Sequence, residues 1–193
     1  MIPTTIDTDY HKKSFLKKES RICIGWTGSH TTIKHFEYAL SFLKKLKDKY
    51  DDKIFFKVIG DETYHNAELG INGIAWNKEN EIKELSSFDI GIMPLPDDEW
   101  AKGKCGLKGL QYMALEIPCV MSPVGVNCEI ISDGINGFLA GKEEEWVEKI
   151  SLLIDNPELR KKIGAEARKT VEEKYSVNSQ KEKYLCLMKE LLK

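Results

Sequence analysis

DIGIMPLPDDEWAKGKCGLKGLQYMALEIPCVMSP, residues Asp89 to Pro123, reads as strand, loop, helix and strand. Asp89–Met93 is a short apolar run stopped by Pro94, the pattern of a buried strand. Pro94 to Gly103 holds two prolines and the acidic triplet Asp97-Asp98-Glu99, so it reads as a loop. From about Lys104 the spacing predicts a helix, with Leu107, Leu110 and Ala114 on its buried face. Ile117–Met121 is a second apolar run, and the whole is one βαβ unit. In open α/β sheets ligands bind outside the carboxyl ends of the strands, so the loop before this helix is the first place to look for chemistry.

On a helix starting at Lys104, Lys104, Lys108 and Gln111 fall at i, i+4 and i+7 and form one stripe. Cations prefer a helix's last turn, because its amino end already carries partial positive charge. Two lysines at the amino end, with Gly103 and Gly106 allowing close approach to the backbone, point to an anion such as a phosphate or diphosphate. The alternative is a solvated lysine face on an amphipathic helix.

Outward from this unit, strands alternate with helices. Arg21–Trp26 and Lys53–Gly60 read as strands, with a helix between them ending near Lys49 that Thr31 or Thr32 can cap. A shorter strand is expected at Gly73–Trp76 and a small helix over Glu79–Ser87. After Met121 come a short helix at Cys128–Ser132, a small strand at Phe138–Ala140, and a helix over Lys142–Asp155. Asn156-Pro157 is a cap followed by proline at its favoured first position, opening a helix that ends near Tyr175. A last amphipathic helix covers about Val177–Leu192, while residues 1–20 have no sustained period and read as a linker or arm. The alternation argues for an α/β fold with a doubly wound, mostly parallel sheet.

Composition bounds the function. The 193 residues suit one domain, or one with a small extension, and 41% hydrophobic with 31% charged residues is ordinary for a globular chain. A net charge of −2 gives no push toward nucleic acid. The five cysteines are odd in number and lack a CxxC, so reduced core thiols of a cytoplasmic protein are expected. The four histidines show no metal-ligand spacing, and there is no bilayer-length apolar stretch and no signal-peptide pattern.

Two further strand ends carry candidate chemistry. Gly25-Trp26-Thr27-Gly28-Ser29, followed by Lys34, could seat a phosphate on backbone amides. It is not GxGxxG, it lacks the acidic residue of a dinucleotide site, and an ordinary βα turn is the alternative. Pro123–Asn127 with Glu129 is another glycine turn. Asp97, Asp98 and Glu99 could hold sugar hydroxyls or a divalent ion, or could be a solvated loop. Trp26, Trp76 and Trp100 could flank a base or sugar, or mark core edges. No Walker motif and no GxSxG elbow is present.

Several of these segments, in order and at the right separations, resemble the carboxyl-terminal, nucleotide-sugar-binding half of retaining GT-B glycosyltransferases, the glycosyltransferase group 1 family. Ile2-Pro3-Thr4-Thr5-Ile6-Asp7 resembles the family's "IPNGVD". Ile24–Ser29 with Lys34 is similar to its glycine loop and diphosphate lysine. Asp89–Leu95 resembles the strand before its donor loop. Gly106 to Ala114 with Ile117-Pro118-Cys119-Val120 resembles "GxxxLEAMAxGxPVV". Pro123–Gly125, Glu129–Ile131 and Asp133–Leu139 are similar to "GGxxEIVxDGxxGFL". The family's E-x7-E pair falls on Gly103 and Gln111. Gln111 keeps a donor and an acceptor for ribose hydroxyls, whereas Gly103 keeps no carboxylate.

The resemblance implies transfer of a sugar from a nucleoside diphosphate sugar to a glycan or lipid-linked acceptor, as in polysaccharide or lipopolysaccharide biosynthesis. It implies Lys104 and Lys34 as the catalytic electrostatic pair, and Gly28, Ser29, Lys34, Gly103, Lys104, Cys105, Gly106 and Lys108 around the diphosphate. Gln111, Ile74 and Trp76 would meet ribose and base, and Asp97, Asp98 or Glu99 the sugar. No metal or other cofactor is expected. Residues 1–20 would be the interdomain linker, 21–176 the Rossmann-like donor domain, and 177–193 a helix crossing to an absent amino-terminal domain. Such a half, cytoplasmic or at the inner membrane face in the whole protein, is expected to bind donor weakly and transfer little alone. A non-catalytic nucleotide-sugar-binding or regulatory module is the alternative, and a sugar-nucleotide epimerase a third reading.

Overall fold

The computed structural model describes residues 3–14 and 20–192. β1 (Ile22–Thr27) pairs in parallel with β2 (Ile54–Ile59) along its whole length. Between them the chain climbs through α1 (Ile33–Phe36) and α2 (Leu40–Tyr50), which are separated by a 3-10 turn. Next come a short antiparallel hairpin, β3 (His65–Asn66) and β4 (Ile71–Asn72), and then α3 (Glu81–Ser86). The central unit follows as β5 (Ile90–Met93), α4 (Glu99–Lys102), α5 (Leu107–Ala114) and β6 (Cys119–Met121). The chain continues with α6 (Asn127–Ile130), β7 (Phe138–Leu139), α7 (Glu143–Asp155), α8 (Pro157–Thr170) and α9 (Val177–Leu191). The sheet order is β2-β1-β5-β6-β7, every pair parallel. This is the doubly wound α/β fold that the alternation implied.

Two apolar layers cover the sheet. Trp26, Phe36, Leu43 and Leu46 meet α7 on one face, where Phe42 and Trp146 stack at 4.6 Å. Leu85, Phe88, Leu110, Tyr112 and Met113 fill the other. The strand glycines make room for aromatic rings there. A Cβ on Gly25 would stand 2.2 Å from the Phe88 ring, and one on Gly91 would stand 2.5 Å from Tyr112. Asn156 accepts from Leu159 N–H at 2.9 Å and Pro157 takes the first turn of α8, as their order in the sequence requires.

β1 and β5 pair only at Ile24↔Ile90 and Gly25↔Gly91, and then part. The chain leaves β1 toward β2 and leaves β5 toward β6, so this gap is the topological switch point. Beyond the last pair the Thr27 N–H has lost its ladder partner. The fully buried Tyr112 hydroxyl replaces it, accepting from Thr27 N–H at 2.9 Å and donating to Ile92 O at 3.4 Å.

Several local expectations need correction. α5 starts at Leu107, not Lys104, because Gly106 adopts φ +72° as its amino-terminal cap and breaks the helical run. Leu107 is consequently exposed, not on the buried face. Gly73–Trp76 is no strand: only Ile74 bridges to β2, and the paired residues lie earlier, in β3 and β4. Asp98 caps a short helix inside the expected loop, accepting from Ala101 N–H at 2.7 Å. Thr32 stands at the amino-terminal cap position of α1 as expected but makes no side-chain cap hydrogen bond, and Ser29 opens the 3-10 turn that precedes it. Cys23 and Cys119 are buried, but Cys105, Cys128 and Cys186 are exposed, so most of the thiols are not core.

The arm is docked. Ile6 N–H bonds Tyr175 O at 2.7 Å, Val177 N–H bonds Ile6 O at 3.0 Å, and Arg168 donates to Thr8 O, His11 O and Ala114 O. Ile2, in the segment likened to "IPNGVD", and residues 15–19 lie outside the described residues.

Replacing Tyr112 by phenylalanine keeps the ring over Gly91 but leaves a buried N–H unsatisfied, at a cost of about 1–3 kcal/mol. Thermal melting of Tyr112→Phe should therefore fall by several degrees; an unchanged midpoint would show that the hydroxyl does not hold the two strands.

Candidate functional site

The loops after β1, β5 and β6 frame the crevice. The β5 loop is locked to the β6 loop by two contacts. Leu95 N–H bonds the Ser122 hydroxyl at 2.8 Å, and a Cβ on Gly125 (φ +55°) would lie 2.6 Å from Lys102 O. Gly106 is held similarly, since its Cβ would lie 2.4 Å from Ile130. The free amino end of α5 is thus presented at the carboxyl edge of the sheet, where its unpaired N–H groups carry partial positive charge.

Three lysines converge there. Lys104 lies in the loop before α5, its Nζ 5.3 Å from the Trp100 ring, and Lys108 on the first turn has its Nζ 5.6 Å from the Trp26 ring. Burial, and then Lys104, push the Lys108 pKa down. His35, buried on α1, is held below the usual imidazole range by burial first and then by Lys104, Lys108 and Lys34. One buried ring thus feels all three ammonium groups, and no carboxylate of the described residues pairs with any of them. Neutral His35 leaves its Nδ1 without a partner. Together with the exposed rings of Tyr38 and Trp100 and the acids Glu37 and Asp98, Lys34 and His35 line a cleft of about 370 Å³ between α1 and the β5 loop. Clustered, unpaired cations with fixed N–H donors can hold a doubly charged anion.

The β1 loop contributes side chains, not amides. Gly28 N–H bonds Ile59 O at 2.9 Å, and Ser29 N–H bonds the Thr32 hydroxyl at 2.9 Å. The backbone cradle expected at Gly28 and Ser29 is therefore already spent, leaving Lys34 and an exposed Ser29 hydroxyl that also meets the Thr31 and Thr32 hydroxyls at 3.0 and 3.1 Å. Gly103 has φ −77° and its Cβ would meet nothing closer than 3.5 Å, so neither conformation nor space demands glycine there. Gly103, Lys104 and Cys105 also wall a second hollow of about 710 Å³ that reaches Tyr175, Gln180 and Lys183.

The acidic triplet is occupied locally. Asp98 caps α4, while Asp97 and Glu99 pair with Lys102 at 3.6 and 3.0 Å. Among the described residues no group of three or more His, Cys, Asp or Glu is placed to hold a metal ion.

Farther along α5, Gln111 Nε2 donates to Glu81 Oε1 at 3.1 Å, and Trp76 Nε1 donates to the same oxygen at 3.1 Å. The structure therefore joins two of the three residues expected around ribose and base. Ile74 is different, because β2 uses both its backbone groups: Ile74 N–H bonds Val58 O at 2.9 Å and Gly60 N–H bonds Ile74 O at 2.7 Å. Sequence reasoning missed Glu81 and His35. Each also depends on partners distant in the chain, Gln111 for Glu81 and Lys104 and Lys108 for His35, which leave no periodic signal.

An anion seated among the three lysines cancels their field. Added pyrophosphate should therefore raise the His35 pKa, followed by NMR of the imidazole; an unaltered titration with pyrophosphate bound would place the anion elsewhere. The sign for stability is opposite to that of an ion-paired histidine. The folded pKa lies below the unfolded value of 6.5, so His35 stabilises above that pH and the contribution is lost as pH falls.

The family model for glycosyl transferases group 1 matches residues 7–170. Trehalose synthase of Pyrococcus horikoshii is 26% identical over 163 residues, covering 84% of this chain and 34% of that protein. The chain thus spans about a third of the length of that curated relative. Among solved structures, the carboxyl-terminal domain of the group 1 glycosyl transferase LpcC from Francisella tularensis superposes with a TM-score of 0.69 at 22% identity, covering 89% of this chain and 99% of that one. Anabaena HepE, solved in complex with UDP and glucose, gives a TM-score of 0.76 at 13% identity, covering 96% and 55%. At such identities the structural likenesses establish the fold, a Rossmann-like half of a GT-B architecture. The family match, extending over most of the chain, establishes more: this protein belongs to the glycosyl transferases group 1 family.

Proposed function

We propose that the chain is the donor-binding part of a sugar-transferring enzyme, taking a nucleoside diphosphate sugar with its pyrophosphate at the amino end of α5. The observation that carries this reading is the trio Lys34, Lys104 and Lys108, unpaired with any described carboxylate, around the buried His35. The bound UDP and glucose of the HepE structure, a protein of the same fold, support a uridine nucleotide as the first donor to try.

The chemistry follows from where charge develops. As the bond from the anomeric carbon to the distal phosphate oxygen breaks, negative charge gathers on the departing diphosphate. Fixed ammonium groups and helix N–H donors lower that barrier without reorganising. In this reading Lys104 and Lys34 stabilise the leaving group, Lys108 and the Ser29 hydroxyl bind it, and no metal is called on. Gln111 and Trp76 hold the nucleoside, with Ile74 shaping the wall through its side chain. Retention of the anomeric configuration and a hexosyl donor are carried over from the family resemblance.

The acceptor, a glycan or lipid-linked sugar, would lie against a further, amino-terminal domain. The exposed apolar residues of α9, among them Leu185, Met188 and Leu191, support a crossing of that helix to such a domain. Among the described residues no helix is long and apolar enough to cross a membrane.

Calorimetric titration with UDP, GDP and ADP tests the reading. At least one should bind, and Lys104→Ala should weaken it roughly tenfold to a hundredfold, the worth of a charge-assisted hydrogen bond. The matching nucleoside should lose far less. Equal losses for nucleoside and diphosphate, or no binding of any of the three at millimolar concentration, would overturn it.

A further inference from the structure

Glu81 receives donors from three separated parts of the chain. Its Oε1 accepts from Gln111 and Trp76, and its Oε2 accepts from the Tyr10 hydroxyl at 3.1 Å. Burial first, and then Glu81 itself, push the Tyr10 pKa up, so the phenol stays a donor. Tyr10 in turn belongs to the arm that Arg168 clamps through Thr8 O and His11 O. The carboxylate, on the first turn of α3, is thus held from α5, from the arm and from the segment after Ile74.

A carboxylate only accepts hydrogen bonds, so the Gln111 amide must turn its NH2 group toward Glu81. Its carbonyl oxygen then points away. Among the described residues no donor takes that oxygen, and it is not buried. An amide free to flip would offer a mixture of donor and acceptor; this one offers an acceptor alone.

We propose that Glu81 is a positioning residue that sets the Gln111 amide so that its carbonyl oxygen accepts a ribose hydroxyl of the donor nucleotide. The proposal rests on the donor reading above. It also explains how an amide serves at position 111, where the resembling family carries a glutamate. Acid and amide have exchanged places: the accepting oxygen is neutral, and the negative charge stands behind it. A second carboxylate at 111 would face Glu81 across a hydrogen-bond distance, where two like charges cannot both ionise without penalty.

The resulting expectation runs against the family pattern. Gln111→Glu, which installs the family's residue, should weaken nucleotide binding, and Glu81→Gln combined with Gln111→Glu should restore it. The test is calorimetry of the whole chain and its variants with UDP, GDP and ADP, each beside its 2′-deoxy and 3′-deoxy form. Wild-type protein should bind one deoxy form roughly tenfold more weakly than its parent, the worth of one hydrogen bond. Glu81→Gln should shrink that penalty, Gln111→Glu should lose about tenfold for the parent nucleotide, and the exchanged pair should recover both affinity and penalty. A role limited to tethering Trp76 and Tyr10 would not be rescued by a change at 111. If Gln111→Glu binds as tightly as wild type or more so, or if Glu81→Gln keeps the full deoxy penalty, the positioning role is wrong while the donor reading stands. If no nucleoside diphosphate binds, both fall together.

Discussion

A single phenol holds open the place where everything else happens. β1 and β5 share two paired positions and then separate, and the Tyr112 hydroxyl spans the gap from Thr27 to Ile92. It sits there because Gly91 has no side chain to displace its ring. The arrangement satisfies a buried N–H that the diverging ladder abandons, which is what allows a parallel sheet to part without collapse. The crevice follows from the parting, and the amino end of α5, the helix that carries Tyr112, follows from the crevice.

Charge is then organised against the usual preference. Lysines generally favour the carboxyl end of a helix, yet Lys104 and Lys108 gather at the amino end with Lys34 across the cleft. Aromatic faces of Trp100 and Trp26 lie beside two of the ammonium groups, and His35 stays neutral, which spares the cluster a fourth charge. Of the nearby acids, Asp97 and Glu99 are turned to Lys102, while Glu37 and Asp98 share the cleft with Lys34 and His35, and Asp98 opposes the lysines' effect on that ring. In the proposed reading the lysine cluster would face the diphosphate and the Gln111 carbonyl the ribose.

Much of the fold was legible because prolines and glycines sit at element ends. Pro94 and Pro118 bracket the central strands, Asn156-Pro157 opens α8, and the alternation of strands and helices told a parallel sheet from a sandwich. The start of α5 was not legible. Lys104 fits the i, i+4 spacing with Lys108, but Gly106 turns left-handed against Ile130, and only the tertiary contact shows it. The cationic cluster could be read in residue types, yet its third dimension could not: Lys34 and Lys104 meet through His35, a residue with no motif. The hairpin at β3 and β4 escaped because two-residue strands leave no alternation to find. Cysteine exposure likewise depended on tertiary placement, since Cys128 and Cys186 sit on the outward faces of α6 and α9 and Cys105 in the exposed loop before α5.

A crystal structure of the chain soaked with UDP reaches the central claim most directly. The account predicts both phosphates at the amino end of α5, with oxygens within hydrogen-bond distance of Lys104 and of Lys108 or Lys34. Ordered nucleotide elsewhere on the surface, or in the crevice with its phosphates turned away from these lysines, would contradict it.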